Sequence, residues 1–145
     1  LVGRSARPVV LCVDQLPGLL PGAHAVVVMT SLNPQTRGMV DSGFLAQLPD
    51  GAVLVNAARG QVVVTDDLLA ELQSGRLRAA LDVTDPEPLP PGHPLWRAPG
   101  LFLTPHVGAA TAGMARRALT TAVAQLEQFA RGERPTNLID RADLA

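Results

Sequence analysis

The run Ala52-Val-Leu-Val-Asn56, continued by Ala57-Ala-Arg-Gly60, decides how this chain folds. Its apolar residues, two of them β-branched valines, predict a buried strand that ends at Asn56, and Gly60 allows the backbone to turn sharply afterwards. Ligands of open parallel sheets bind beyond the carboxyl ends of the strands, so we expect Arg59 to lie at a ligand-binding edge. A guanidinium can bind a carboxylate there with two parallel hydrogen bonds. The simpler alternative is a surface arginine in a connecting loop.

Other apolar runs alternate with helical patterns along the chain. Strands are predicted at Leu1–Val2, Val9–Val13, Ala25–Met29, Leu77–Val83 and Leu101–Thr104. Between them, helices are predicted around residues 16–20, after an Asp41 N-cap, after a Thr65 N-cap, and from about Thr111 to Ala130. Unalternating strands separated by helices predict an α/β fold: a partial doubly wound, Rossmann-type parallel sheet with helices on both faces. No G-x-G-x-x-G follows a strand, so the first βαβ unit of such a fold is not expected in this chain.

The long C-terminal helix has an apolar stripe at helical spacing. We expect this stripe to face a core, with Gly132 ending the helix. Its members are Ala115, Ala118, Leu119, Ala122, Val123, Leu126 and Phe129.

Composition narrows the possible function classes. A net charge of −1 gives no general affinity for nucleic acid or anionic membranes. The single cysteine, Cys12, excludes an internal disulfide framework and favours a cytoplasmic location. No apolar run approaches the ~20 residues of a membrane span, and we expect no metal site.

Polar side chains follow two further strands at the same predicted edge. Asp82 comes late in its strand, Glu87 lies in the proline-rich loop beyond it, and His106 follows the last strand. A histidine hydrogen-bonded to a carboxylate is a general acid–base pair, because the carboxylate fixes the ring and favours its protonated form. Taken singly, each has a simpler explanation: a turn former, a solvated carboxylate and a structural histidine.

Several motifs resemble those of the D-isomer-specific 2-hydroxyacid dehydrogenases. The clearest are Asn56-Ala-Ala-Arg-Gly60, Leu81-Asp-Val-Thr-Asp-Pro-Glu-Pro-Leu-Pro90 and Leu103-Thr-Pro-His-Val-Gly108. His93-Pro-Leu-Trp96 and the earlier loop Leu32-Asn-Pro-Gln-Thr-Arg-Gly38 resemble that family as well, in family order. The resemblance implies that residues 1–131 are the C-terminal part of a dinucleotide-binding domain. Residues 132–145 would be a tail returning towards a substrate domain, and the chain would be a fragment of a longer enzyme.

The resemblance also implies roles for individual residues. Arg59 would bind the carboxylate of a 2-keto acid, His106 would donate a proton to its carbonyl oxygen, and Glu87 would pair with His106. The NAD or NADP cofactor would be lined by residues at the strand ends, some of them shared with the catalytic set: Thr30, Ala57, Ala58, Arg59, Asp82, His106, Gly108 and Ala109. A homodimer is implied too.

Cofactor choice depends on the turn after the first strand. The acidic residue that binds the ribose hydroxyl in NAD enzymes stands at such a turn. Here we expect Arg4 and Arg7, which modestly favours NADP over NAD because arginines accommodate a 2′-phosphate. The alternative is that both arginines are solvated loop residues and that the acidic residue comes just before Leu1. Ser31 and Asn33, near the expected adenosine side, depart from the family pattern. The alternative to a dehydrogenase is a non-catalytic remnant that serves as a binding or dimerisation module.

Overall fold

The computed structural model describes residues 1–3, 10–136 and 138. The chain forms two compact units, Leu1–Gly108 and Ala109–Ala145. The strands are β1 Val2–Gly3, β2 Leu11–Cys12, β3 Ala25–Val28, β4 Val53–Asn56, β5 Arg78–Leu81 and β6 Leu101–Leu103. The α-helices are α1 Leu16–Leu19, α2 Ser42–Leu45, α3 Thr65–Gln73 and α4 Met114–Ala130. Helix α4 belongs to the second unit and every other element to the first.

The first unit is built on parallel strands, as predicted. The order β3-β4-β5-β6 makes a four-stranded parallel sheet, and β1 pairs with β2 in a separate parallel pair. The helices between successive strands make this a Rossmann-type α/β fold, which confirms the predicted fold class. Each strand of the four-stranded sheet lies within its predicted range and is one to three residues shorter.

The core lies between this sheet and helices α2 and α3. Its fully buried side chains come from both layers: Leu45, Leu54, Leu68, Leu72 and Leu77. Burial alternates along β4: Leu54 and Asn56 are buried, and Val53 and Val55 are half-buried. One row on the other side of the sheet is Val27, Val55, Ala80 and Phe102, paired in register across all four strands. Its two ends, Val27 and Phe102, are 60% and 67% exposed.

Two of the predicted N-caps have different outcomes. The Asp41 carboxylate accepts a hydrogen bond from the Phe44 amide at 2.8 Å, so the predicted cap of α2 is confirmed. The predicted Thr65 cap of α3 is wrong, because Val64 occupies the N-cap position. The Thr65 hydroxyl instead donates to the backbone carbonyl of Asp85 at 2.8 Å. This bond ties the start of α3 to the proline-rich loop after β5.

The predicted core stripe of α4 is not buried. The helix ends at Ala130 as predicted and begins at Met114, three residues after the predicted start, but none of its residues is buried. Leu119, Leu126 and Phe129 are 66%, 66% and 72% exposed. Helical periodicity identifies a common apolar face, but it does not say what covers that face.

No helix within the described ranges is long and apolar enough to cross a membrane.

A half-buried arginine joins α2 to α3. Arg76 donates to the carbonyl of Leu45, the last residue of α2, at 2.8 Å, and to that of Leu48, three residues later, at 2.7 Å. It also donates to the Glu71 carboxylate of α3 at 2.6 Å. The hydrogen bond from Arg76 lowers the pKa of Glu71 from its usual value. The Leu45 carbonyl also accepts the Leu48 amide at 3.1 Å, so Arg76 adds a second donor at the end of α2.

A close approach fixes the two loops that follow β4 and β5. A Cβ added at Gly60 would overlap the backbone carbonyl of Thr84 and the amide nitrogen of Asp85. The backbone φ of Gly60 is not in the left-handed region, so the requirement here is for space alone. The missing side chain therefore sets how near the Arg59 loop lies to the loop that carries Glu87.

We predict that Gly60→Ala destabilises the fold by about 1–3 kcal/mol, because one of the two backbones must move to admit the methyl group. Urea unfolding measures the change. Gly18→Ala is the control, since a Cβ at Gly18 meets no atom within 4 Å and its φ is compatible with alanine. An equal effect of the two substitutions would mean that the close approach carries no structural cost.

Candidate active site

The register of the sheet aligns three strand ends. Asn56 of β4 pairs with Leu81 of β5, and Leu81 pairs with Leu103 of β6. Arg59 follows the first of these residues by three positions, and His106 follows the last by three. Parallel strands have their carboxyl ends at one edge, so these loops emerge side by side, where ligands of such sheets bind.

His106 and Glu87 form a close pair at this edge. Nδ1 of His106 lies 2.6 Å from Oε1 of Glu87, and both side chains are partly exposed. An ionised carboxylate can only accept hydrogen bonds, so Nδ1 carries the proton in this pair. The bond fixes the ring and leaves Nε2 as the atom available to a ligand. The structure thus brings together two residues that lie nineteen positions apart in the sequence.

Asp82 binds the loop that carries His106. Oδ1 accepts the Thr104 hydroxyl at 2.6 Å and the Val107 amide at 2.9 Å, and Oδ2 accepts the Gly108 amide at 2.8 Å. The Thr104 hydrogen bond and the two amides lower the pKa of Asp82 from its usual value. A carboxylate held by three donors is ionised at neutral pH. Its bonds to the Val107 and Gly108 amides place it against the backbone that follows His106.

Asn56 holds the loop of Arg59 in a similar way. It is only 1% exposed, yet both ends of its amide are bonded. Its Nδ2 donates to the Arg59 carbonyl at 2.9 Å, and its Oδ1 accepts the Ala58 amide at 3.0 Å. The Arg59 side chain is exposed, and its Nη1 donates to the Ala58 carbonyl. The guanidinium therefore lies at the protein surface, at the carboxyl-terminal edge of the sheet, on a loop whose backbone is hydrogen-bonded to Asn56.

The remaining predicted cofactor residues fall into three groups. Thr30, Ala57, Ala58 and Gly108 follow β3, β4 and β6 at the same edge, and the Ala57 amide donates to the Val28 carbonyl at 3.2 Å. Ala109 is the first residue of the second unit. Arg4 and Arg7 lie outside the described residues.

Sequence reasoning assigned no function to Asn56 or Thr104, whose side chains hold the two loops. The signal was available in both cases. Asn56 is a polar residue in an otherwise apolar strand, and Thr104 directly precedes the proline that ends the last one. What the sequence does not contain is the distance to the partner, which depends on the register.

A separate cavity of about 440 Å³ is lined by Arg37, Gln61, Asp66, Asp85 and His93 among others, and none of Arg59, Glu87 and His106 lines it.

Comparison with known proteins agrees with this geometry. The family model described as D-isomer specific 2-hydroxyacid dehydrogenase, NAD binding domain, matches residues 4–108. A D-isomer specific 2-hydroxyacid dehydrogenase from Xanthobacter autotrophicus Py2, solved with NADPH and MES, is 39% identical with a TM-score of 0.84. That alignment covers 96% of this chain and 59% of the other.

Two further solved structures extend the comparison. A D-isomer specific 2-hydroxyacid dehydrogenase family protein from Klebsiella pneumoniae 342 is 35% identical, with a TM-score of 0.87, over 97% of this chain and 47% of the other. An NADPH-dependent glyoxylate/hydroxypyruvate reductase from Sinorhizobium meliloti, solved with NADP and sulfate, is 30% identical, with a TM-score of 0.86, over 99% and 48%. The chain thus spans about half the length of these relatives. Because the family model matches residues 4–108, which is most of the chain, the chain belongs to the D-isomer specific 2-hydroxyacid dehydrogenase family.

Proposed function

We propose that the complete protein containing this chain is an NAD(P)-dependent oxidoreductase that interconverts a 2-keto acid and a D-2-hydroxy acid. The observation that carries the proposal is the 2.6 Å pair of His106 and Glu87, on the same sheet edge as the Arg59 loop. A proton donor, its orienting carboxylate and a surface guanidinium are the groups that reduction of a 2-keto acid requires from the protein. Their convergence on one edge is stronger support than any of the three alone.

The proposed division of roles follows from what each group can do. Nε2 of His106 donates a proton to the carbonyl oxygen of the keto acid, while Glu87 holds Nδ1 and stabilises the charged ring. The forked guanidinium of Arg59 binds the substrate carboxylate. In the direction of oxidation the same imidazole accepts the proton from the hydroxyl.

The edge also fits a nicotinamide dinucleotide. Exposed Ala57 and Gly108 have small or no side chains, so their backbones are open to a flat ring, and Thr30 and the backbone of Ala58 complete the proposed lining on this edge. Ala109 stays a predicted cofactor residue. When bound, the dinucleotide supplies or accepts the hydride. The alternative is a non-catalytic binding or dimerisation module.

We predict that His106→Gln lowers kcat by about 10²–10⁴-fold, because glutamine keeps hydrogen bonding but cannot donate a proton as a general acid. Binding of the dinucleotide, followed by fluorescence titration, should stay within about twofold. The assay is reduction of a panel of 2-keto acids by the complete protein. A variant with nearly normal kcat would remove His106 from the chemistry, and an inactive wild type would favour the non-catalytic module.

Arg59→Lys is the contrasting variant in the same assay. Lysine keeps the positive charge but is a point charge without the fork. We expect KM for the keto acid to rise and kcat to fall, with dinucleotide binding unchanged. An unchanged KM would count against the carboxylate-binding role.

We also propose that the protein is a homodimer with two-fold symmetry. Support comes from the apolar face of α4, where Leu119, Leu126 and Phe129 are each at least 66% exposed. Monomeric proteins rarely expose contiguous apolar faces of this kind. The prediction is that the complete protein sediments at twice its monomer mass at micromolar concentration. A Leu126→Glu variant should shift it towards the monomer. A wild-type monomer would contradict the proposal.

The proposed cofactor preference is for NADP. The sequence predicts that Arg4 and Arg7 take the place of the acidic residue of NAD enzymes, and two similar proteins were solved with NADPH or NADP. We expect kcat/KM to be higher for NADPH than for NADH, and Arg4→Ala to reduce that ratio by several-fold, because a charge-assisted bond to the 2′-phosphate is lost. Arg97→Ala, at an exposed site in another loop, is the control. A wild type that prefers NADH would contradict the assignment.

The cytoplasmic location inferred from Cys12 stays a prediction.

A further inference from the structure

Three consecutive backbone amides of the last loop are bound by one residue. The His106 amide donates to the backbone carbonyl of Asp82 at 2.8 Å. The next two amides, of Val107 and Gly108, donate to the two carboxylate oxygens of that same aspartate, at 2.9 and 2.8 Å. Asp82 therefore binds every backbone donor from the histidine to the glycine.

The conformation that these bonds hold is an unusual one. His106 has φ of 55°, and it is the one non-glycine residue with positive φ in the described part of the chain. A side chain other than glycine is disfavoured there, so the loop needs compensating interactions to keep the residue in place. The three amide bonds and the Thr104 hydroxyl bond to Oδ1 are such interactions. They act on the backbone, and the Glu87 contact acts on the ring.

We propose that Asp82 is the positioning residue for His106: it fixes the left-handed backbone from which the imidazole projects. The function of the positioned ring rests on the activity proposed above, but the fixing of the loop does not. Gly108 is part of the same arrangement, since a Cβ there would lie 2.8 Å from Oδ2 of Asp82. A side chain at that position would therefore have to displace this carboxylate or the loop.

The hydrogen-bond count leaves room for one more donor. A carboxylate offers about four acceptor positions. Thr104 and Val107 fill those of Oδ1, and Gly108 fills one on Oδ2. A ligand donor, such as a carboxamide, could reach only the remaining position on Oδ2. A substitution that alters Oδ1 alone therefore separates positioning from ligand contact.

Thr104→Val makes that separation, because valine is nearly isosteric and removes only the donor to Oδ1. We expect kcat of the complete protein to fall by about threefold or more while KM for the dinucleotide stays within twofold. Loss of a ligand contact would instead raise that KM. An unchanged kcat would count against positioning through Oδ1.

Asp82→Asn tests the backbone bonds directly. Its amide group cannot accept at both former oxygens, so at least one loop amide loses its partner. We expect amide hydrogen exchange at Val107 or Gly108 to accelerate by about tenfold or more in the protein without ligand, because bonds to charged groups are among the stronger ones. Asp66→Asn, an exposed carboxylate on α3, is the matched control.

The exchange measurement does not depend on any enzymatic activity. Faster exchange at residues 107–108 with a Tm near that of wild type supports positioning, even if the wild type reduces no keto acid and the proposed function fails. Exchange within twofold of wild type at both amides overturns the positioning role, even in an active dehydrogenase. If Asp82→Asn does not fold, exchange in Thr104→Val decides, with acceleration of the Val107 amide as the supporting result.

Discussion

The hydrogen-bond register of three parallel strands is the constraint on which the candidate site depends. Because Asn56, Leu81 and Leu103 are paired in one row, the loops that follow them start at the same level. A shift of one residue in one strand would turn its buried side chains to the other face. Here Leu54 and Ala79 would leave the core, so burial and the alignment of the loops are fixed by the same pairing.

The Arg59 loop and the His106 loop are each held by hydrogen bonds to a polar residue that ends a strand or directly follows one. Asn56 binds the backbone of the Arg59 loop with both ends of its amide, and Asp82 binds the backbone of the His106 loop. Asn56 is buried, and a buried polar group is costly unless it is bonded, so it favours one loop conformation over others. Asp82 is only partly buried and acts through charge-assisted hydrogen bonds. The exposed functional side chains contribute less to their own placement.

The sequence predicted the strands, the parallel sheet and the edge where the polar residues gather. It did so because short apolar runs such as Val53-Leu-Val55 are typical of the strands of parallel sheets that are covered by helices. The Asp41 cap was also predictable, since its partner is three residues away. Thr65 was misassigned because its hydroxyl has a distant partner, the Asp85 carbonyl, which offers an alternative to capping. The prediction that the α4 stripe is buried was wrong for a related reason. Periodicity shows which residues share a helix face, but it does not show which part of the protein packs against that face.

The contact between His106 and Glu87 is better understood as a result of the loop structure than as its cause. Their side chains are 43% and 38% exposed, so water screens the attraction, and ion pairs at such sites contribute little to folding. A bond this weak in net terms cannot hold a backbone in the left-handed region. The three amide bonds to Asp82 can, because they act together and two of them, from Val107 and Gly108, are charge-assisted. A pair that adds little stability can still orient an imidazole once its backbone is fixed, which is what proton transfer at a defined atom requires.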